Sequence, residues 1–219
     1  MAKKGSRKPA GLRVDAERNR ESLVKAAQAA FAERGLDAPL EEVAARAGVG
    51  IATLYRRFPA RDDLIAASFE ARVAEHARVA ELALTAPDGW SGFTAYVEQV
   101  CAMQACDRGL GDVLTRTFPN AATLEAHRRR GHVLSARLIE RAKNEGSLRP
   151  DFVPQDLVLL FMANDGVAQG VADAAPNAWK RSIRIMLDGL RSDAATPLPP
   201  PPTARQMVRA MRRGCGPPN

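Results

Sequence analysis

Residues 40–59 read LEEVAARAGVGIATLYRRFP and contain two short apolar-periodic segments separated by glycines. Glu41 and Glu42 lie near the start of the first segment, where a carboxylate interacts favourably with the positive end of a helix. Gly48 ends that segment after about two turns, as glycine commonly does at helix C-termini. The second segment covers residues 51–58 and is followed directly by proline. Two short helices joined by a tight glycine turn are typical of a helix-turn-helix unit.

The rest of the chain predicts an all-α protein. Only two Trp, two Tyr and seven Phe occur in 219 residues, so the residues that favour strands are sparse. Apolar residues at three- and four-residue spacing predict an amphipathic helix over 16–33 and a long helix that starts near Asp62 and Asp63. Breaks rich in Gly, Pro and Asp separate further predicted helices near 90–105, 110–117, 121–145, 154–173 and 177–191.

The net charge of +7 is concentrated at the two ends of the chain. Residues 1–13 carry five basic and no acidic side chains, and residues 192–219 carry four arginines against Asp193. Basic tails on a nearly neutral body favour non-specific attraction to phosphates at the ends and a small, local site for specific binding. The alternative is that both tails are merely disordered or solubilising. The Pro-rich run at 197–202 favours this alternative for the C-terminal tail.

Four short motifs carry a resemblance to a known family. LVKAA at 23–27, FAERG at 31–35, AGVG at 47–50 and TLYRRFP at 53–59 closely resemble the N-terminal domain of TetR/AcrR-type transcriptional regulators. The resemblance implies an N-terminal three-helix helix-turn-helix DNA-binding domain followed by a C-terminal helical ligand-binding and dimerisation domain. It also implies a ligand-responsive repressor, without a cofactor, that binds a palindromic operator in double-stranded DNA as a homodimer and responds to an unidentified small-molecule effector.

On this basis we divide the chain into four parts. We expect a basic disordered arm at 1–13, the DNA-binding domain at 14–62, the regulatory and dimerisation domain at 63–191, and a Pro-rich basic tail, also disordered, at 192–219.

The DNA-contacting side chains are expected on the second helix of the motif, which enters the major groove in such units. Leu54 and Phe58 are four residues apart and form the inward face, packed against the first helix of the motif. Base-edge contacts are expected from Ile51, Ala52 and Arg56 on the outward face. By resemblance to the family, the residues expected to touch sugar or phosphate are Thr53, Tyr55, Arg57 and Arg61. Together the expected DNA-binding residues are Gly50, Ile51, Ala52, Thr53, Tyr55, Arg56, Arg57 and Arg61. The chain departs from the family by placing Pro39 and Gly50 where hydroxyl residues are common, and contacts of the arm at 1–13 can offset that loss.

The C-terminal helices are expected to hold a ligand pocket and a dimer interface. The residues available for an apolar pocket with polar anchors are Trp90, Phe93, Tyr96, Met103, Phe118, Phe161, Met162, Asn164 and Asp165, although each also fits an ordinary core. By resemblance, the candidate dimer contacts on the last two helices are Leu157, Leu160, Phe161, Val167, Ile183, Met186, Leu187 and Leu190. The basic run from His127 to Arg130 either binds an acidic ligand or lies on a solvated face, and the second interpretation is favoured.

Other classes of protein are less consistent with the sequence. No Glu-x-x-His pair, phosphate-binding loop, nucleotide fingerprint or nucleophile elbow occurs, so neither an enzyme nor a metal site is predicted. A helical adaptor without specific DNA recognition, and an activator with no small-molecule ligand, remain as alternatives. No stretch of about 18 uncharged apolar residues predicts a membrane span, and the three cysteines are expected to be reduced thiols of a cytoplasmic protein.

Overall fold

The computed structural model describes residues 10–116, 118, 120–194 and 196–213, without the side chains of residues 10–16, 194, 212 and 213. The described residues form an all-α protein, which confirms the predicted fold class. The helices are α1 (Ala10–Arg34), α2 (Leu40–Arg46), α3 (Ile51–Arg57), α4 (Arg61–Ala83), α5 (Gly89–Cys106), α6 (Arg108–Thr115), α7 (Ala122–Asn144), α8 (Pro154–Gly170), α9 (Ala178–Asp188) and α10 (Ala204–Arg213), with a short 3-10 helix at Ser192–Ala194.

The first three helices form a small head. Gly35 after α1 and Gly48 after α2 have positive φ angles of 74° and 68°, a conformation that glycine adopts without steric cost. Arg46 on α2 donates to both carboxylate oxygens of Glu33 on α1 at 2.9 and 2.6 Å, and also to Glu42 at 2.7 Å. These ion pairs bridge α1 and α2 at the surface, while the buried side chains of Leu40, Val43 and Ala44 pack α2 into the core of the head.

Helices α1 and α6 connect the head to the rest of the protein. Gly109 at the start of α6 packs so closely that a Cβ there would lie 2.5 Å from the Phe69 ring and 3.0 Å from the Phe31 carbonyl oxygen. Asp112 on α6 accepts a hydrogen bond at 3.0 Å from the backbone N–H of Leu36, in the α1–α2 connection. A displacement of α6 therefore acts directly on the head.

The larger body is built around the parallel pair α4 and α7. Gly131 of α7 packs on the His76 side chain of α4, where a Cβ would lie 2.9 Å from Nδ1. Further along both helices, Arg141 of α7 donates to the Leu84 carbonyl oxygen at 3.0 Å. Helices α5, α6 and α8 cover this pair, so that one continuous apolar core extends from the head into the body.

Both chain ends differ from the expectation. Helix α1 starts at Ala10, so residues 10–13 of the predicted disordered arm are helical, and residues 1–9 lie outside the described part. The tail contains α10, and Arg149 donates to the Thr196 carbonyl oxygen, which fixes the start of the Pro-rich segment to the α7–α8 connection. Met207 of α10 is buried. The expectation of a wholly disordered tail is therefore wrong for residues 196–213, and residues 214–219 lie outside the described part.

Candidate nucleic-acid interface and ligand cavity

Helix α3 presents one face to solvent and one to the head. Leu54 is fully buried and Phe58, directly after the helix, is 4% exposed, as the sequence predicts. The exposed positions are Gly50, Ala52, Tyr55, Arg56 and Arg57, whereas Ile51 and Thr53 are half-buried. Tyr55 keeps 48% of its surface accessible even though it is a large aromatic residue. The outward face thus offers an apolar patch, a phenol and two guanidinium groups.

The two arginines of α3 are available for an external partner. Among the described side chains, no carboxylate lies within ion-pair distance of Arg56 or Arg57. Arg34 and Arg46, in contrast, are both paired with Glu42 on the side of the head where α1 and α2 meet. Two positive charges without an ion-pair partner among the described residues therefore lie on the helix that is expected to enter the major groove.

Arg61 has a different environment from the other predicted DNA contacts. It is half-buried and donates to the carbonyl oxygens of Leu36 at 2.6 Å and Ala38 at 2.9 Å. These bonds secure the α1–α2 connection from the start of α4. Sequence reasoning also missed Arg20 of α1, whose guanidinium lies 5.6 Å from the centre of the Phe58 ring, next to the end of α3.

A narrow cavity lies in the body between α4, α5, α6, α7 and α8. Its volume is about 70 Å³. Of the predicted pocket residues only Tyr96 and Phe161 line it. The other lining residues, which sequence reasoning did not assign to a pocket, are His76, Leu114, Thr115, Arg128, His132, Ser135, Pro154, Leu157 and Val158.

The other predicted aromatic and sulfur-containing residues lie elsewhere. Phe93, Met103 and Phe118 are buried in the core. Trp90 is half-buried, with the Arg191 guanidinium 5.0 Å from its ring. Large apolar side chains on these helices mainly fill the core, so residue size alone does not identify the cavity wall.

The remaining predicted pocket residues lie on α8 outside the cavity lining. Met162 is exposed on the outer face of α8. Asn164 is fully buried and donates from Nδ2 to Gln104 at 3.0 Å, whereas its Oδ1 has no partner among the described residues. Asp165 lies against α6, where a Cβ on Gly111 would approach its Oδ1 to 2.3 Å.

The polar wall of the cavity combines two histidines, a tyrosine and an arginine. The Tyr96 hydroxyl and His76 Nε2 are 2.9 Å apart. Burial, helped by the positive charges of His132 and Arg128, lowers the pKa of His76 from 6.5 to about 4, so this imidazole is neutral at pH 7. Burial also raises the pKa of Tyr96 and lowers that of His132, which lies at the exposed edge of the cavity.

Arg128 is the buried cation of this wall. It belongs to the basic run for which a solvated face was favoured, but it is only 4% exposed, so that interpretation is wrong at this position. It donates to Glu125 at 2.8 Å and to the Leu114 carbonyl oxygen at 3.2 Å. The Arg129 and Arg130 side chains are exposed, and Arg130 pairs with Glu81.

The outer surface of α8 and α9 carries an exposed apolar face. Five predicted dimer contacts, Leu157, Leu160, Phe161, Ile183 and Leu187, are instead buried within the subunit. Val167, Met186 and Leu190 are half-buried. Leu159 and Met162 on α8 and Ile185 on α9 are 42%, 43% and 62% exposed. For the five buried residues the expectation of a dimer contact is therefore wrong, because the most apolar positions of α8 and α9 complete the core of the subunit.

Few other features of the described residues point to chemistry. Cys101 is buried with a raised pKa, Cys106 is exposed, and both are free, while Cys215 lies outside the described part. No cluster of His, Cys, Asp and Glu suitable for a metal ion occurs in the part of the chain that the structure describes. Within the same residues, no helix combines the length and apolar character needed to cross a membrane.

Comparison with known families covers most of the chain. Residues 23–68 match the family model described as bacterial regulatory proteins of the TetR family. Residues 88–192 match the model described as the C-terminal domain of SbtR-like transcriptional regulators. No curated protein matches the sequence.

Solved structures with a similar fold include several transcriptional regulators. A TetR regulator of Streptomyces coelicolor is 29% identical, with 78% of this chain and 98% of that chain covered and a TM-score of 0.48. The ketosteroid regulator KstR2 of Mycobacterium tuberculosis is 16% identical, with 78% and 94% covered and a TM-score of 0.53. FadR of Bacillus subtilis, solved with stearoyl-CoA, is 14% identical, with 80% and 99% covered and a TM-score of 0.58.

Proposed function

Because the chain belongs to the TetR family of DNA-binding transcriptional regulators, we propose that it is a homodimeric repressor of a palindromic operator, released from DNA by a small molecule. The observation that carries this proposal is the exposed face of α3, with Tyr55, Arg56 and Arg57 on a head that is fixed by buried contacts and ion pairs. An arginine of this kind can donate two parallel hydrogen bonds to guanine, and Ala52 can contact a thymine methyl group. Tyr55 and Arg57 are assigned to sugar and phosphate contacts that set the register.

The exposed face of α8 and α9 is the proposed dimer interface. Leu159, Met162 and Ile185 provide its apolar side chains. Gly166 and Gly170 are exposed on α8 with open space around them, and glycine within a helix is intrinsically unfavourable. Small residues at these positions permit a second helix to approach closely, which supports pairing of the face with its copy across a two-fold axis.

A two-fold dimer places two α3 helices on two half-sites. In such complexes the half-sites lie about 34–36 Å apart, so a shift of one head by a few ångströms prevents simultaneous contact. Leu114 and Thr115 of α6 line the cavity, and Asp112 on the same helix binds the backbone of Leu36 in the head. This continuous connection supports the proposal that a ligand in the cavity displaces α6 and, with it, the head.

We propose neither a catalytic step nor a cofactor for this role, and a cytoplasmic location beside the DNA that the protein binds. The direct test is selection of bound fragments from a random duplex pool at about 150 mM salt, where non-specific phosphate attraction is weakened. We expect enrichment of an inverted repeat with half-sites about one helical turn apart. Recovery of unrelated sequences alone would refute the proposal and favour the adaptor alternative.

A further inference from the structure

Arg128 is a buried cation whose donors are incompletely used. Its side chain is 3% exposed. One terminal nitrogen donates to Glu125 and the other to the Leu114 carbonyl oxygen, while Nε has no partner among the described residues. A buried donor without an acceptor is uncommon in native proteins and calls for an explanation such as a missing ligand. Because Arg128 lines the cavity, an acceptor placed there can reach its remaining N–H groups.

The cavity has an amphipathic wall. Leu114, Leu157, Val158 and Phe161 supply an apolar side. No carboxylate is among the described residues that line it, and its titratable members besides Arg128 are His76, Tyr96 and His132. A site of this composition suits a ligand that has an apolar body and one group that accepts hydrogen bonds.

The charge around the cavity favours an anion over a neutral acceptor. Glu125 offsets part of the Arg128 charge. Glu125 is not among the described residues that line the cavity, however, so the permanent charge that a ligand meets there is that of Arg128. A guanidinium group also matches the geometry of a carboxylate, which can accept two parallel hydrogen bonds from it.

We propose that the effector of this protein is a small apolar carboxylic acid, bound as its anion with the carboxylate on Arg128 and the hydrocarbon part against Leu157, Val158 and Phe161. The inference rests on the proposed function, because it names the class of ligand that releases the DNA. The cavity of about 70 Å³ is smaller than the roughly 150 Å³ that holds one benzene ring, so binding of a one-ring or short-chain acid requires the walls to move outward.

The first experiment compares acids with their neutral isosteres by calorimetric titration of the full-length chain. Benzoate and hexanoate are the acidic probes, and benzamide and hexanamide have nearly the same shape without the charge. We expect at least one acid to bind, and its amide to bind roughly 10- to 100-fold more weakly, as is typical of losing a charged hydrogen bond. Equal affinity for acid and amide, or no binding of either acid at millimolar concentration, would overturn the proposal.

Three variants locate the binding site. Arg128→Gln should remove the preference for the acid, whereas Arg129→Gln, an exposed neighbour on the same helix, should leave it unchanged. Val158→Phe should fill the cavity and abolish binding while Arg128 remains intact. If Arg128→Gln fails to fold, Arg128→Lys replaces it and should weaken acid binding because the paired donors are lost. Unchanged acid binding in Val158→Phe, or in the folded Arg128 variant, would place the ligand elsewhere and refute the assignment.

A separate readout distinguishes this inference from the proposed function. The affinity for the selected DNA is measured with and without the bound acid. Acid binding that depends on Arg128 without any loss of DNA affinity would support the ligand site and refute ligand-induced release. Release of DNA by an amide as effective as the acid would refute the acid class and retain a ligand-responsive regulator.

Discussion

Replacement of both Tyr55 and Arg56 by alanine should strongly weaken specific DNA binding without affecting the fold. Both side chains are exposed, so the free energy of unfolding should change by no more than about 0.5 kcal/mol per substitution. Arg56 is assigned to a base contact, which contributes about 1–3 kcal/mol, and a dimer presents two copies of it. Even at the lower end of that range, the loss of Arg56 should cost about 2 kcal/mol of specific binding free energy, roughly a 30-fold loss of affinity, and the loss of the Tyr55 register contacts should add to it.

The assay is fluorescence anisotropy with the selected operator at fixed salt, together with thermal unfolding of both proteins. Arg137→Ala is a matched control, because this exposed arginine of α7 lies beside Leu84 at the end of α4, away from the head. The control removes one positive charge and should retain wild-type affinity to within a small factor. Wild-type affinity of the Tyr55/Arg56 double variant would show that α3 does not read the DNA.

Three further predictions concern pH, assembly and the link between head and body. The pKa of His76 is about 4 when folded and 6.5 when unfolded, so the unfolded chain binds an additional proton between these values. Acidification from pH 7 to 4 should therefore lower the free energy of unfolding by about 3 kcal/mol more in wild type than in His76→Gln. An equal decline of the two proteins in urea titrations would contradict this. Met162→Asp should yield monomers in sedimentation velocity, whereas Leu82→Asp, a substitution at an exposed position of α4, should leave the dimer intact. A dimeric Met162→Asp variant would exclude the face of α8 and α9 as the dimer interface. Asp112→Ala should lower the free energy of unfolding by about 1–3 kcal/mol, because the Leu36 N–H loses its acceptor. Asp112→Asn retains an acceptor oxygen and should cost less. Equal losses in urea denaturation would argue against the hydrogen bond between Leu36 and Asp112.

The helices and the DNA-reading face were predictable because their signals are local. Gly48 and Pro59 set the limits of α2 and α3, and the spacing of Leu54 and Phe58 identifies the inward side of α3. The early start of α1 and the presence of α10 were missed. In the tail, the prolines at 197–202 dominated the interpretation and obscured the helical spacing of Met207 and Met211.

The cavity and the dimer face were not predictable, because both depend on which helices meet. Leu157 and Ile183 are as apolar as an interface requires, yet they are buried within the subunit. Arg128, Arg129 and Arg130 are consecutive arginines of α7, so the sequence does not distinguish them. Only the packing of α7 on its neighbouring helices buries Arg128 and leaves the other two exposed. Periodicity indicates a buried face, but it does not distinguish a core, a cavity and an interface.

The central claim is that the exposed face of α3 recognises a specific palindrome as part of a dimer. Its most direct test is the ratio of affinities for the selected inverted repeat and for a shuffled duplex of equal composition at about 150 mM salt, with the stoichiometry of the complex measured on the repeat. We predict a preference of at least about 1000-fold, the lower end of what specific DNA-binding proteins achieve, and an even number of chains per site. A preference below about tenfold, or a single chain on the repeat, would contradict the account.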